Sequence, residues 1–177
     1  MEKHTIATIG SHSALDVCNG AKKEGFETLV IAQTGREKTY SKYYLSRRRQ
    51  TQEVGCIDQV IVVDKFKDML KEEHAKLMKK KNTIFVPNRS FAVYLGYENI
   101  EKNFPVPIFG NKYMLRAEER EEQKNQYYLM QKAKIKQPRK IASPQKIDCL
   151  VIVKAREAQR NYERAFFLAN SYEDYLE

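Results

Sequence analysis

Thr5-Ile6-Ala7-Thr8-Ile9-Gly10-Ser11-His12-Ser13-Ala14-Leu15-Asp16 is the stretch that decides the fold. Its first five residues are β-prone and are closed by Gly10. Ala14, Leu15, Val17, Cys18 and Ala21 then recur at helical spacing until Gly25. The reading is strand, turn, helix, with Ser13 expected to cap the helix and Gly25 to end it. In a parallel α/β sheet, ligands bind beyond the carboxyl ends of the strands, where such a turn meets a helix N-terminus. Gly10, Ser11, His12 and Ser13 occupy that place. Backbone N–H groups, the helix dipole, two hydroxyls and an imidazole there suit a phosphate or a carboxylate. The plainer reading is a capped helix behind an exposed turn. The turn matches neither the G-x-G-x-x-G of dinucleotide folds nor the Gly-Lys-Ser/Thr ending of a Walker loop.

Outward from this unit the pattern repeats. Thr28 to Ala32 predicts a second strand, Ile57 to Val63 a third, Phe66 to Met78 an amphipathic helix, and Thr83 to Val86 a fourth strand stopped by Pro87. Strands separated by helices imply a parallel sheet with right-handed crossovers. The polar stretch from Gly35 to Gln52, with Tyr40, Tyr43, Tyr44 and Arg47-Arg48-Arg49, has no assignable element. Ser90, which follows the fourth strand, is placed on the same sheet edge as His12, at the start of a short helix over Phe91 to Leu95. A plain helix cap explains Ser90 equally well.

Pro105 and Pro107 mark a break. Lys112 to Lys134 then predicts a long charged helix whose glutamates precede Lys124, and Arg139 to Ala142, Cys149 to Lys154 and Ala165 to Ala169 read as three strands before a closing segment capped by Ser171. Three strands and a nascent helix bury too little apolar surface to stand alone. The expectation is therefore one domain over 1–108 and the start of a second over 109–177.

Composition sets the outer limits. Of 177 residues, 42% are hydrophobic and 31% charged, which is ordinary for a self-folding globular chain. The net charge of +9 draws anions of any kind without naming one. Arg47-Arg48-Arg49 and Lys79-Lys80-Lys81 could be read as a nucleic-acid surface, but no RNA- or DNA-binding motif accompanies them and a solvated surface explains them better. Cys18, Cys56 and Cys149 stand far apart with no C-x-x-C spacing, so neither a zinc site nor a disulfide framework is suggested. No run approaches the ~20 apolar residues of a membrane span and the N-terminus lacks a signal pattern, so a cytoplasmic protein with no membrane partner is expected. No metal-ligand cluster and no catalytic triad are evident.

Four segments taken in order resemble one family: Thr5 to Asp16, Phe85-Val-Pro-Asn-Arg-Ser-Phe91, Ile108-Phe-Gly-Asn-Lys-Tyr-Met-Leu-Arg116, and Ser143-Pro-Gln-Lys-Ile-Asp-Cys-Leu-Val-Ile-Val-Lys154. They are similar to the N-terminal portion of the archaeal formate-dependent PurP family, 5-formaminoimidazole-4-carboxamide ribonucleotide synthetase, of the ATP-grasp superfamily. The resemblance implies a Rossmann-like parallel sheet flanked by helices, followed by the beginning of an ATP-grasp domain. It implies a ligase that formylates the imidazole-carboxamide ribonucleotide of purine biosynthesis with formate and ATP, through formyl phosphate. His12 and Ser90, with Gly10, Ser11 and Ser13, are then substrate-binding residues, and Lys154 faces ATP. Magnesium is implied, with its carboxylates outside this chain. A homo-oligomer or a complementary ATP-grasp half are the partners implied, and without the magnesium-binding part the chain alone is not expected to be competent. Two departures stand out: Asn88-Arg89 replaces the family's more usual His-Gly before the serine, and the connection 155–164, with Arg156, Arg160 and Arg164, lacks glycine. These leave a non-catalytic nucleotide-binding paralogue as the alternative, with a basic nucleic-acid-binding module a weaker one.

Overall fold

The computed structural model describes residues 4–49, 52–119, 122–154 and 166–177. They fall into two compact units, Met1–Leu115 and Arg116–Glu177. The glycine-free connection after Lys154, with its three arginines, lies outside the described residues.

The first unit is an α/β layer structure, as the sequence predicts. β1 (Thr5–Ile9), β2 (Glu27–Gln33), β5 (Gln59–Val63) and β6 (Thr83–Phe85) form an all-parallel sheet in the order β5-β2-β1-β6. Registers run from Thr5 opposite Glu27 to Ile9 opposite Ile31, and from Thr5 opposite Thr83 to Ala7 opposite Phe85. Because the strands are covered on both faces, they carry nearly continuous apolar runs. The two-residue alternation still sorts them. Ala7, Ile9, Leu29, Ile31, Ile61, Val63 and Phe85 pack on one face with Phe66, Met69, Met78, Phe91, Leu95 and Ile100. Val30 and Ala32 pack on the other with Ala14 and Cys18 of α1 (Ala14–Lys23), and with Tyr40, Cys56 and Ile57.

α1 ends as predicted. Gly25, at φ 80°, allows the N–H groups of Gly25 and Phe26 to reach back to the carbonyls of Lys22 and Ala21, a Schellman closure. Near the start of β2, Asp58 accepts from Lys22 Nζ and from Thr28 N, each at 2.9 Å. Burial alone would raise this carboxyl, but those hydrogen bonds outweigh it and hold it below the ordinary 3.8. The device braces the amino-terminal edge of the sheet, away from the carboxyl edge where a ligand would lie.

Several sequence expectations are corrected. Phe66 to Met78 is not one helix: a 3₁₀ segment over Phe66–Leu70 gives way at Lys71, φ −58° and ψ 146°, to α2 (Glu72–Lys80). Asp68 accepts from the Lys65 N–H at 2.9 Å, closing the first segment, while Glu72 and Glu73 supply a second acidic first turn. Lys112 to Lys134 is likewise broken, into a 3₁₀ segment at Lys112–Glu118 and α5 (Gln126–Lys132), which Asn125 caps by accepting from Tyr128 N at 3.1 Å. Arg139 to Ala142 is not a strand. It lies between Pro138 and the Pro144–Lys146 turn, and Arg139 is turned onto the Asp148 carboxylate instead of onto a ladder. The unassigned stretch after β2 holds a π-helical turn, Thr39–Tyr43, and then a hairpin of β3 (Arg47–Arg49) and β4 (Gln52–Val54).

After β6 come α3 (Arg89–Leu95) and α4 (Tyr97–Asn103). Phe85, Phe91 and Phe104 form a ring cluster with centroids 4.6 to 5.1 Å apart, which seats α3 on β6. The chain then returns beside β6, where the Phe85 N–H donates to the Pro107 carbonyl at 2.8 Å.

In the second unit, β7 (Val151–Lys154) pairs antiparallel with β8 (Phe166–Ala169), and α6 (Tyr172–Leu176) is capped by Ser171, as predicted. Among the described residues of this unit, Ala169 is the one buried hydrophobic; Leu150, Ile152, Phe166, Phe167 and Leu168 are exposed.

Candidate functional site

β1 has β2 on one side and β6 on the other, so the connections leaving β1 and β6 start from adjacent strand ends, where the order of strands reverses. That reversal is where open α/β sheets leave a crevice for a ligand. Both connections begin with short polar residues, and their geometry is specific.

At the end of β1 the Gly10 N–H donates to the Ile31 carbonyl at 2.6 Å, and the Ser11 N–H folds back on the Ile9 carbonyl at 2.8 Å. Gly10 is required by close approach: a Cβ there would lie 2.6 Å from Cε2 of Tyr40. The Tyr40 ring, 8% exposed, lies against the turn, and burial pushes its phenol above 10 although Arg36 pulls the other way. Ser13 does not cap α1, contrary to the sequence reading. It takes a left-handed conformation, φ 60° and ψ 9°, and no side-chain cap bond forms. The turn is closed through the backbone instead, Ala14 N–H to Ser11 carbonyl at 3.1 Å and Val17 N–H to Ser13 carbonyl at 3.0 Å. His12 and Ser13 are exposed.

From β6 the chain turns through Pro87 into Asn88, which caps α3: its side chain accepts from Ser90 N at 3.2 Å. Ser90 is therefore not the cap. It lies in the first turn, buried to 8% exposure, and its Oγ is 2.9 Å from Ser11 Oγ. The predicted neighbourhood of the two connections is thus a direct contact. Two hydroxyls that share one hydrogen bond keep one O–H proton to donate, and a ligand oxygen in the crevice is a suitable acceptor.

Asn88 and Tyr40 are the residues that sequence reasoning missed. Asparagine ahead of a helical run is itself an N-cap signal. Nothing around Tyr40 marked it, because its partner is a glycine 30 positions earlier.

Lys154 belongs to the second unit, where it closes β7 opposite Phe166 and is exposed. Of the basic clusters, Arg47 and Arg48 lie on the β3–β4 hairpin, and Lys79 and Lys80 end α2, where cations suit the dipole. Burial pushes the Cys18 thiol up to about 12 and raises that of Cys56, which disfavours the thiolate form at both. Among the described residues no group of three or more His, Cys, Asp or Glu is placed to hold a metal ion, and no helix is long and apolar enough to cross a membrane.

Residues 6–141 match the family described as "Protein of unknown function (DUF1246)". The chain is 38% identical over 176 residues to a 5-formaminoimidazole-4-carboxamide-1-(beta)-D-ribofuranosyl 5'-monophosphate synthetase of Methanothermobacter thermautotrophicus, covering 99% of this chain and 44% of that protein. It is 37% identical to the Methanopyrus kandleri protein of the same name, covering 100% and 45%. The crystal structure of an IMP biosynthesis protein PurP from Thermococcus kodakaraensis superposes with a TM-score of 0.61 at 26% identity, over 92% of this chain and 48% of that one. The chain thus spans less than half the length of the relatives it matches.

Proposed function

The chain belongs to the DUF1246 family, and on that premise we propose that it supplies the substrate-binding part of an ATP-dependent formate ligase of purine biosynthesis. The relatives' names carry the reaction class. The observation that carries the site is the 2.9 Å contact between Ser11 and Ser90 at the reversal of strand order. In this reading His12 and Ser90 hold the imidazole-carboxamide ribonucleotide, and Gly10, Ser11 and Ser13 line the turn against it. The +9 charge favours the approach of a phosphorylated substrate.

The chemistry balances in two displacements. A formate oxygen attacks the γ-phosphorus of ATP and ADP leaves, giving formyl phosphate. The ribonucleotide amine then attacks the formyl carbon, phosphate leaves, and the amine gives up a proton. This chain's residues bind and orient the acceptor; Lys154, ending β7, is assigned to the ATP side, at the start of an ATP-grasp module completed by polypeptide outside the chain. In this reading the carboxylates for magnesium lie outside the chain, and the described residues hold no group of three or more His, Cys, Asp or Glu placed for a metal ion.

Titration calorimetry of the native chain with 5-aminoimidazole-4-carboxamide ribonucleotide tests the reading. Heat of binding is expected, with affinity reduced about tenfold in His12→Ala and in Ser90→Ala, the loss of one hydrogen bond to a charged or polar ligand. Absence of heat, or unchanged affinity in both variants, overturns it. The glycine-free connection 155–164 favours one second reading, a nucleotide-binding paralogue without catalysis. Formate-dependent ATP hydrolysis on adding a complementary ATP-grasp half excludes that alternative.

A further inference from the structure

The two serines belong to connections that meet across the sheet 79 residues apart in sequence, yet their hydroxyls lie at hydrogen-bond distance. Rotatable side chains on separate loops do not hold such a register without support. One neighbouring side chain contacts the backbone of both connections. Asn88 donates through Nδ2 to the Ile9 carbonyl at 3.0 Å, the same carbonyl that receives the Ser11 N–H, and accepts through Oδ1 from the Ser90 N–H at 3.2 Å. A carbonyl can only accept and a backbone N–H can only donate, so the amide has one orientation that satisfies both. Ile9, Ser11, Ser90 and Asn88 thereby close a ring of hydrogen bonds, half-buried and fixed at both ends by β1 and β6.

We propose that Asn88 is the positioning residue of the candidate site, its amide locking Ser11 and Ser90 as a pair so that their remaining O–H proton is aimed at a ribonucleotide oxygen. The proposal rests on the ribonucleotide-binding reading above. It assigns a purpose to a residue that family resemblance marks only as a departure. An amide is the group required. A carboxylate offers acceptors alone and would face the Ile9 carbonyl with like charge, and a serine is too short to serve both connections.

The discriminating variant is Asn88→Ser in the full chain, because serine caps helices as well as asparagine and carries no charge. Three readings are taken: the thermal midpoint, hydrogen exchange at the Ser11 and Ser90 amides without ligand, and calorimetric affinity for 5-aminoimidazole-4-carboxamide ribonucleotide. The midpoint is expected to move by less than about 4 °C, the scale of one modest interaction in a domain of this size. The Ser11 amide is expected to exchange about tenfold faster and affinity to fall about tenfold, the worth of one lost hydrogen bond. Asn88→Asp provides a second variant, with the helix cap kept and the affinity still lost. Native-like Ser11 protection together with native affinity in Asn88→Ser reduces Asn88 to a helix cap and overturns the proposal. Global unfolding of both variants also overturns it, since Asn88 would then serve the fold and not the site. Absence of ribonucleotide binding by the native chain refutes the functional reading instead, and the Ser11 exchange rate still decides whether Asn88 holds the pair.

Discussion

A glycine is needed at position 10 because Tyr40 fills the space a side chain would take. Gly10→Ala must push a nearly buried ring aside, and overpacking of this kind costs roughly 1–3 kcal/mol. Urea unfolding should show that loss, and should show much less of it in a Tyr40→Leu background, where the ring is gone. Asp58 is the second residue whose environment makes a prediction. Its carboxyl is held below 3.8, so the stability it contributes is present above the unfolded-state value and is lost as pH falls through the lower folded-state value. Asp58→Asn should therefore destabilise the chain by about 1–3 kcal/mol near neutral pH. The difference from the native chain should shrink toward zero as acid protonates the native carboxyl, a trend that unfolding curves taken across pH 2–7 would reveal. Residue placements were only half legible beforehand. Ser11 and Ser90 were readable from their positions after strands, whereas the Gly10–Tyr40 fit depends on a contact that no local pattern encodes.

Among the elements, the strands of the parallel sheet and α1 were legible because period and punctuation agree: β1 ends at Gly10 and α1 closes in a Schellman turn at Gly25. The two misread helices are each broken within the run. Over Phe66 to Met78 and Lys112 to Lys134 the helical periodicity is genuine, but the run is interrupted, in the first by the extended ψ of Lys71 and in the second by Asn125, whose side chain accepts from Tyr128 N and starts a new helix. Within the stretch from Gly35 to Gln52, the hairpin resisted assignment because β3 and β4 pair with each other outside the main sheet. Gly55 follows that hairpin, at φ 87° with Leu45 backbone atoms where a Cβ would go, the carbonyl carbon 2.7 Å away. A side chain there meets both a left-handed backbone and a fixed carbonyl, so Gly55→Ala should cost upwards of about 2 kcal/mol. Limited proteolysis should report it as faster cleavage within 47–54.

For the molecule as a whole, both hydrophobic clusters lie within residues 1–115, while the described part of 116–177 buries little more than Ala169. A chain cut after Leu115 is therefore expected to unfold as one cooperative transition in urea, followed by tyrosine fluorescence, with near-native midpoint. A separate 116–177 chain is expected to bind a hydrophobic dye strongly and to show no cooperative transition. The sequence had already indicated an under-buried second region, because strands without enough apolar partners can be counted.

The Ser11–Ser90 contact also bears on how quickly the protein is assembled and lost. It forms only when β6 has docked beside β1, which closes a long loop, and such non-local pairing comes late in folding because its entropy must be met before the contacts form. A ligand that grips both serines therefore has little to hold in the folding transition state. Its effect should fall on the rate of escape from the native state, so saturating ribonucleotide should slow unfolding and leave refolding almost unchanged. Such a ligand would then act as a kinetic latch, prolonging the lifetime of the occupied protein.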